Sequence, residues 1–128
     1  MFYHNPKAFL AGYSPSMVDS IRFSVATSNN VLIGTEGRDR SLDFRGALAL
    51  ATRGSARVCH LEDKVGGFDV GLKFDALRVK MSGKWDTQLF GFETIEDMIQ
   101  KFCFLGDDRN IAQVWVDGRC VKDLITKA

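Results

Sequence analysis

Histidine is scarce in this chain of 128 residues, which contains only His4 and His60. A zinc site in a hydrolase needs three or more protein ligands that converge on one point. These two histidines lie too far apart for an H-x-H or H-E-x-x-H arrangement, and no C-x-x-C sequence is present. The adjacent pair Cys59-His60 fits either two ligands of an incomplete site or a buried thiol beside a histidine at a helix end. The sequence therefore predicts no complete metal site.

Disulfide patterns and long apolar runs are also lacking. The three cysteines, Cys59, Cys103 and Cys120, are odd in number and far apart, which is typical of buried thiols in a reducing compartment. No apolar run approaches the ~20 residues of a membrane-spanning helix. The first residues lack the basic start and apolar stretch of a secretion signal. We expect a cytoplasmic protein with no membrane partner.

An excess of either charge is absent as well. Seventeen lysines and arginines stand against sixteen acids, which gives a formal net charge of +1. The two signs are mixed along the whole length, so no basic patch indicates binding to nucleic acid or to an anionic membrane. A small molecule or another protein is the expected partner.

The chain has the length of one ordinary domain, and its first half predicts helices. Ser16 and Asp19 resemble a capping box, and the apolar stripe that follows predicts a helix over about residues 16 to 28. A second start signal at Ser41 predicts a helix that ends at Gly54. One more short helical piece is predicted through Cys59.

The second half predicts strands interrupted by one helix. Residues 75–80 alternate as a strand does, and a helix is predicted from Thr94 to Gly106. Residues 111–121 predict a hairpin because Asp117-Gly118 suits a two-residue turn. The glycine-rich stretch over residues 65–71 predicts turns. The fold class is therefore α+β.

Three serines and one glycine-rich stretch are candidates for nucleophilic catalysis and for phosphate binding. Ser14, Ser16 and Ser41 fit helix caps better than nucleophiles, and the sequence of a nucleophile elbow is absent. The stretch Gly66-Gly67 to Gly71 could cradle a phosphate only if it followed a strand and opened a helix. A strand is predicted after it instead, which favours turns.

The densest polar group is Asp107-Asp108-Arg109-Asn110. A carboxylate paired with a guanidinium could recognise a substrate. Aspartate and asparagine are also the residues that form turns between a helix and a strand. The position favours the turn, and the residues alone indicate no catalytic set.

Three segments resemble a known family. Residues 67–77, GFDVGLKFDAL, resemble a segment near the C-terminus of amidohydrolase superfamily members. Residues 99–111, IQKFCFLGDDRNI, followed by VWVDG, are very similar to the C-terminal end of guanine deaminases. Residues 12–22, GYSPSMVDSIR, are similar to the guanine deaminase segment that opens the helix after the last barrel strand. The resemblance covers about residues 11 to 122 and is to the C-terminal part of that family.

This resemblance implies a zinc-dependent aminohydrolase that converts guanine to xanthine and ammonia in purine catabolism, usually as a homodimer. In the family a zinc-bound water attacks the purine carbon, while a glutamate and an aspartate move protons. The residues that bind the metal, transfer protons and contact guanine lie upstream of the matched part. Pro6, Lys7 and Ala8 stand where the family has Gly-Thr-Asp. The resemblance therefore implies no catalytic, metal-binding or substrate-binding residue in this chain.

The resemblance also implies a fold: the outer helices from the end of a TIM-like hydrolase barrel, followed by strands of a small β domain. Residues 1–10 form an unmatched segment, residues 11–62 the terminal barrel helices, and residues 63–128 part of the β domain with one helix and a final hairpin. The barrel strands would be missing. The residues expected to face the absent barrel wall are Met17, Ile21, Val25, Phe44 and Leu48, and the hairpin would lack partner strands.

Two functions follow from this organisation. The chain alone is expected to be inactive as a deaminase and to bind no zinc by itself. The alternative is a non-catalytic interaction fragment that docks on a full-length subunit.

Overall fold

The structure of the chain, a computed structural model, describes residues 14–37, 40–81 and 89–125. Its elements, in chain order, are α1 (Met17–Gly34), α2 (Phe44–Ala49), a π-helical turn (Leu50–Gly54), α3 (Ser55–Val58), β1 (Ala76–Val79), α4 (Ile95–Leu105), a 3-10 turn (Asp108–Asn110), β2 (Ile111–Val116) and β3 (Arg119–Asp123). The predicted α+β class is confirmed.

Helix α1 begins as its sequence predicts but ends later. The Ser16 hydroxyl accepts a hydrogen bond from the Asp19 backbone N–H at 3.2 Å, which satisfies one of the free donors of the first turn. The predicted end near residue 28 is wrong, because the helix continues to Gly34. The apolar residues that follow the two asparagines keep the helical period, and the Thr35 hydroxyl then donates to the Val31 carbonyl at 3.0 Å.

The second helical segment differs from its prediction at both ends. Its N-cap is Asp43 and not Ser41, because the Asp43 carboxylate accepts from the Gly46 N–H at 2.8 Å. Gly54 does not end the helix. Its backbone is helical, at φ −62° and ψ −45°, and the chain passes through the π-helical turn directly into α3. The short helical piece predicted after Gly54 is confirmed.

The buried core lies where α1, α2, the π-helical turn and α4 meet. It consists of Ile21, Ala47, Ala51 and Cys103. Partly buried apolar side chains surround it: Met17, Val25, Leu42 and Leu48. The expectation that this stripe faces an absent barrel wall is wrong for Ile21, which is 5% exposed. The alanines leave room for the helices to approach, so this side of α1 is covered by the chain itself.

Strands β1, β2 and β3 form an antiparallel sheet in that order. Trp115 of β2 lies opposite Ala76 on one side and Cys120 on the other. Asp117 and Gly118 make the predicted turn with φ of 51° and 75°, the positive values that such turns require. The expectation that the hairpin lacks partner strands is wrong for β2, which β1 covers. Strands β1 and β3 are the edges of this sheet.

Helix α4 follows its prediction closely. Thr94 and Asp97 form a reciprocal capping box, in which the Asp97 carboxylate accepts from the Thr94 N–H at 2.9 Å. The helix ends at Leu105, with Gly106 as its C-cap. Among the described residues, none of the helices combines the length and the apolar character that crossing a membrane requires.

Candidate functional site

The cluster Asp107-Asp108-Arg109-Asn110 forms the 3-10 turn between α4 and β2. The Asp107 carboxylate accepts from the Arg109 backbone N–H at 2.9 Å and from its guanidinium at 2.6 Å. Hydrogen bonds from Arg109 hold the pKa of Asp107 below its usual range. The pair is directed at its own turn, so the geometry supports the prediction that these residues join a helix to a strand.

Asn110 is the buried polar residue of this junction, at 5% exposed. Its amide oxygen accepts from the Asp107 N–H at 2.9 Å, and its amide nitrogen donates to the Lys80 carbonyl at 3.0 Å. The Lys80 N–H in turn donates to the Asn110 carbonyl at 2.8 Å. One side chain thereby fixes the turn and binds it to the end of β1.

Arg22 of α1 holds the other side of the same junction. Its guanidinium donates to the Cys103 carbonyl at 2.9 Å and to the Gly106 carbonyl. It also donates to Asp19 at 3.0 Å, and Asp19 accepts from the Ser14 hydroxyl at 3.0 Å. We call Ser14, Asp19 and Arg22, with these two carbonyls, the Arg22 clasp. It joins the segment before α1 to the end of α4.

Two of the three segments that carry the family resemblance, residues 67–77 and the VWVDG stretch after residues 99–111, also contact each other. Lys73 and Asp117 form an ion pair at 2.7 Å, and the Asp117 N–H donates to the Asp75 carboxylate at 2.7 Å. Hydrogen bonding to Asp117 raises the pKa of Lys73. The residues before β1 therefore stabilise the hairpin turn.

Three aromatic side chains line up on this side of the molecule. The rings of Phe68 and Phe74 lie 6.0 Å apart, and those of Phe74 and Trp115 lie 5.9 Å apart. Phe68 is 75% exposed and Phe74 is 49% exposed. We call Phe68, Phe74 and Trp115 the aromatic row. Within the described part of the chain the two phenylalanines of the row are open to solvent, and Trp115 is half-buried.

The acid with the largest resolved pKa shift is Glu93, which precedes α4. Its carboxylate accepts from Lys101 at 2.6 Å and from the N–H groups of Phe90 and Gly91 at 2.8 and 2.9 Å. The bond from Lys101, followed by the bond from Phe90, lowers the pKa of Glu93 to about 2. The side chain is only 5% exposed. Its partners all shape the entry to α4, so the group acts structurally.

The zinc that the resemblance implies needs donors that converge. Within residues 14–37, 40–81 and 89–125, no group of three or more histidine, cysteine or acidic side chains is placed to hold a metal ion. Cys59 and His60 lie together at the exposed turn after α3, and Cys120 is exposed as well. The expectation of buried thiols is therefore wrong for Cys59 and Cys120 and is confirmed for Cys103. His4, Pro6, Lys7 and Ala8 lie outside the described residues. The donor set that the structure describes does not fit a catalytic zinc.

The serines, the glycine-rich stretch and Cys103 have structural roles. The Ser14 and Ser16 hydroxyls bond within the first turn of α1, at 3.0 and 3.2 Å from their partners on Asp19. The glycine-rich stretch forms turns and leads into β1, and Gly66 packs so closely that an added Cβ would lie 2.9 Å from that of Ala56. Burial raises the pKa of the Cys103 thiol, which keeps that thiol protonated and inert.

Sequence reasoning did not single out Arg22, because part of its signal, the backbone conformation of Gly106, is visible only in the structure. The last turn of α4 contains no basic residue, and Gly106 has φ −76° and not the left-handed conformation that usually closes a helix. The final carbonyls of a helix need donors from elsewhere when neither device is used. An arginine of a neighbouring helix is a suitable donor because its guanidinium carries several N–H groups in a fixed plane.

Comparison with known proteins gives a consistent match. The model of the Amidohydrolase family matches residues 5–121. A probable guanine deaminase of Schizosaccharomyces pombe is 39% identical over 119 residues, which are 91% of this chain and 23% of that protein. The guanine deaminase of Homo sapiens is 39% identical over 116 residues, 86% of this chain and 25% of that protein. The predicted resemblance to guanine deaminases is confirmed, and the family match begins a few residues earlier than expected.

Solved structures agree with these relatives. The guanine deaminase of C. acetobutylicum, solved with guanine bound in its active site, matches with a TM-score of 0.73 and 27% identity over 86% of this chain. The E. coli guanine deaminase matches with a TM-score of 0.66 and 26% identity over 88% of this chain. In each case the match covers 25% of the solved chain. This chain thus spans about a quarter of the length of its relatives, and it belongs to the amidohydrolase family.

Proposed function

We propose that this chain forms part of a guanine deaminase, which hydrolyses guanine to xanthine and ammonia in purine catabolism. The observation that carries the proposal is the identity with guanine deaminases along almost the whole chain. In this reaction water adds to the purine carbon that bears the amino group, the carbon–nitrogen bond breaks, and ammonia leaves. Water supplies the oxygen of the new carbonyl, one proton to the leaving amino group and one proton to the adjacent ring nitrogen.

Within such an enzyme, we assign residues 11–62 to outer helices at the end of a TIM-like barrel and residues 63–128 to the small β domain. Residues 1–4 lie outside the family match, which begins at residue 5, earlier than the unmatched segment of residues 1–10 that the sequence predicts. The order of elements supports it, because α1, α2 and α3 precede every described strand. Cys103 of α4 lies in the same buried cluster as Ile21, so the two parts would share a core.

The same proposal makes this chain inactive on its own. The described residues do not bring together the ligands of a catalytic zinc, so the metal and the groups that contact guanine would belong to the rest of the complete enzyme. That enzyme would act in the cytoplasm as a homo-oligomer. The three free thiols of the described chain fit a reducing compartment.

Two assays test the proposal. The purified chain, incubated with guanine and followed by ultraviolet absorbance, should form no xanthine, and metal analysis should find no stoichiometric zinc in it. Human guanine deaminase, measured in the same way, should form xanthine and contain zinc. A chimera, in which residues 14–125 replace the matched quarter of the human enzyme, should deaminate guanine and leave adenine unchanged. A folded, zinc-loaded chimera without guanine turnover would contradict the proposed function.

A second candidate is a non-catalytic fragment that docks on a full-length subunit. The observation that favours it is the open apolar surface of the aromatic row. In this case the chain should co-purify with intact human guanine deaminase and change its rate. If the chain neither co-purifies with the intact enzyme nor changes its rate, the proposal that the chain forms part of a guanine deaminase is favoured.

A further inference from the structure

The turn between β2 and β3 places an aspartate directly before a glycine, at Asp117-Gly118. Glycine has no Cβ that would hinder its backbone nitrogen. That nitrogen can therefore attack the side-chain carboxyl carbon of the preceding aspartate. The sequence contains no other Asp-Gly pair and no Asn-Gly pair. Asp117 is thus the side chain whose neighbour in the chain hinders such an attack least.

The reaction needs no reagent other than water. The Gly118 nitrogen forms a bond to the side-chain carbon of Asp117 and loses its proton, the carboxyl group loses one oxygen as water, and a cyclic imide results. A water molecule then opens the imide at either of its carbonyl groups. Opening at the former backbone carbonyl gives isoaspartate, in which the main chain runs through the side chain and is longer by a methylene group.

The fold restrains the nitrogen that would attack. The Gly118 N–H donates a hydrogen bond to the Phe74 carbonyl at 2.9 Å, and this proton must leave before the nitrogen can form a new bond to carbon. The Asp117 N–H donates to the Asp75 carboxylate at 2.7 Å. These two bonds hold both peptide groups of the turn on the segment that precedes β1.

The fold also restrains the carboxyl group that would be attacked. Its Oδ2 atom lies 2.7 Å from the Lys73 ammonium. Hydrogen bonding to Asp117 raises the pKa of Lys73, so the ammonium is charged at neutral pH. The carboxyl carbon can reach the Gly118 nitrogen only after this ion pair breaks. Both side chains are about half exposed, at 49% and 61%, so water is at hand when the turn opens.

We propose that Asp117-Gly118 is a site of spontaneous isoaspartate formation, and that the bonds to Lys73 and to the Phe74 carbonyl slow the reaction while the turn is closed. The added methylene moves the Gly118 N–H and the carboxylate away from these partners. Isoaspartate therefore detaches the hairpin turn from the segment before β1.

Peptide mapping of the full chain tests the proposal. The chain is kept for weeks in mildly acidic buffer, either folded or in guanidinium chloride, and is then cut with trypsin. Cleavage after Arg109 and Arg119 releases residues 110–119, which contain the Asp-Gly pair and Trp115. The isoaspartyl form has the same mass but a different retention time, and an isoaspartate-specific methyltransferase labels it. The folded chain should react at least ten-fold more slowly than the denatured chain, because the reaction requires local opening.

Variants separate the ion pair from general loosening of the fold. Lys73→Met should isomerise about three-fold faster than the unchanged folded chain, since an exposed ion pair shifts an opening equilibrium by only a small factor. Lys73→Arg keeps a charged donor and should react at nearly the unchanged rate. The matched control is Arg53→Met, which removes the exposed pair with Asp69 at 2.6 Å and should leave the rate unchanged. Asp117→Glu keeps the carboxylate but cannot form the same ring, so it should give no isomer.

Guanidinium chloride provides a further control, because Lys73→Met and the unchanged chain should isomerise at the same rate once both are denatured. The inference is overturned if the folded chain reacts as fast as the denatured chain, or if Lys73→Met reacts no faster than the unchanged folded chain. It is also overturned if Arg53→Met accelerates the reaction as much as Lys73→Met does.

Discussion

The buried cluster and the aromatic row are both apolar, but their side chains differ in size and in exposure to solvent. The cluster combines Ile21 and Cys103 with the small side chains of Ala47 and Ala51, which let four elements approach closely. The row consists of large rings, of which Phe68 and Phe74 are exposed in the described chain and Trp115 is half-buried. The difference in burial indicates that the cluster stabilises this chain more than the exposed rings of the row do. Substitutions in the two regions should therefore differ in their effect on stability.

The largest effect on stability is expected from Ile21→Ala. It removes the central side chain of the cluster and leaves a cavity between helices, which costs about 3 kcal/mol of the free energy of unfolding. Urea unfolding followed by circular dichroism measures it. The matched control is Ile33→Ala in the same helix, since Ile33 is exposed, and it should change the free energy by no more than about 0.5 kcal/mol. Similar losses in both variants would contradict the location of the core.

The next largest effect is expected from Arg22→Met. It keeps the apolar stem but removes the donors to the Cys103 and Gly106 carbonyls, so the free energy of unfolding should fall by about 2 kcal/mol. Arg22→Lys should restore only part of the loss, because an ammonium cannot reach both carbonyls with one planar group. Full recovery in the lysine variant would show that charge, and not the geometry of the Arg22 clasp, holds α4.

Acid should weaken the entry to α4 through Glu93. Its pKa is lowered to about 2 in the folded chain, from 4.5. The stabilisation is therefore fully present above pH 4.5 and is lost as the pH falls from 4.5 towards 2. Glu93→Gln should flatten the dependence of the unfolding midpoint on pH within that window and lower the midpoint at pH 7. If the unfolding midpoints of the unchanged chain and of Glu93→Gln fall in parallel as the pH is lowered, Glu93 is not the source of the acid dependence.

The smallest effect on stability is expected from Phe68→Ser. The ring is mostly exposed, so its loss should change the free energy of unfolding by no more than about 0.5 kcal/mol. Binding of a hydrophobic dye to the isolated chain should fall at the same time. A loss of stability as large as that of Ile21→Ala would mean that the row belongs to the core of this chain.

Local signals in the sequence predicted the elements that depend on neighbouring residues. Ser16 and Thr94 cap their helices, and Asp117-Gly118 turns the hairpin, because each acts on backbone groups within a few residues. The start of α2 was placed two residues early because serine and aspartate cap equally well. The sequence did not predict that the helical backbone continues through Gly54, since glycine usually marks a helix end.

Contacts between distant segments could not be predicted from the sequence pattern. Ile21 was expected to face an absent partner, whereas it packs on residues more than twenty positions away. The roles of Arg22 and Asn110 depend on which carbonyls the fold brings near them. The family itself was recognised because the junction between α4 and β2 has a distinctive sequence, in which Asp107, Arg109 and Asn110 bond to one another and to the end of β1.

The Arg22 clasp also forms late during synthesis, because its partners are far apart in the sequence. Arg22 reaches carbonyls that lie 81 and 84 positions later in the chain. At the usual pace of translation, about 5 to 20 residues per second, these partners arrive roughly 4 to 17 s after the arginine. During this interval part of the apolar side of helix α1 is uncovered while the chain is still being synthesised. A chaperone that binds short apolar helices would have its best opportunity in that interval.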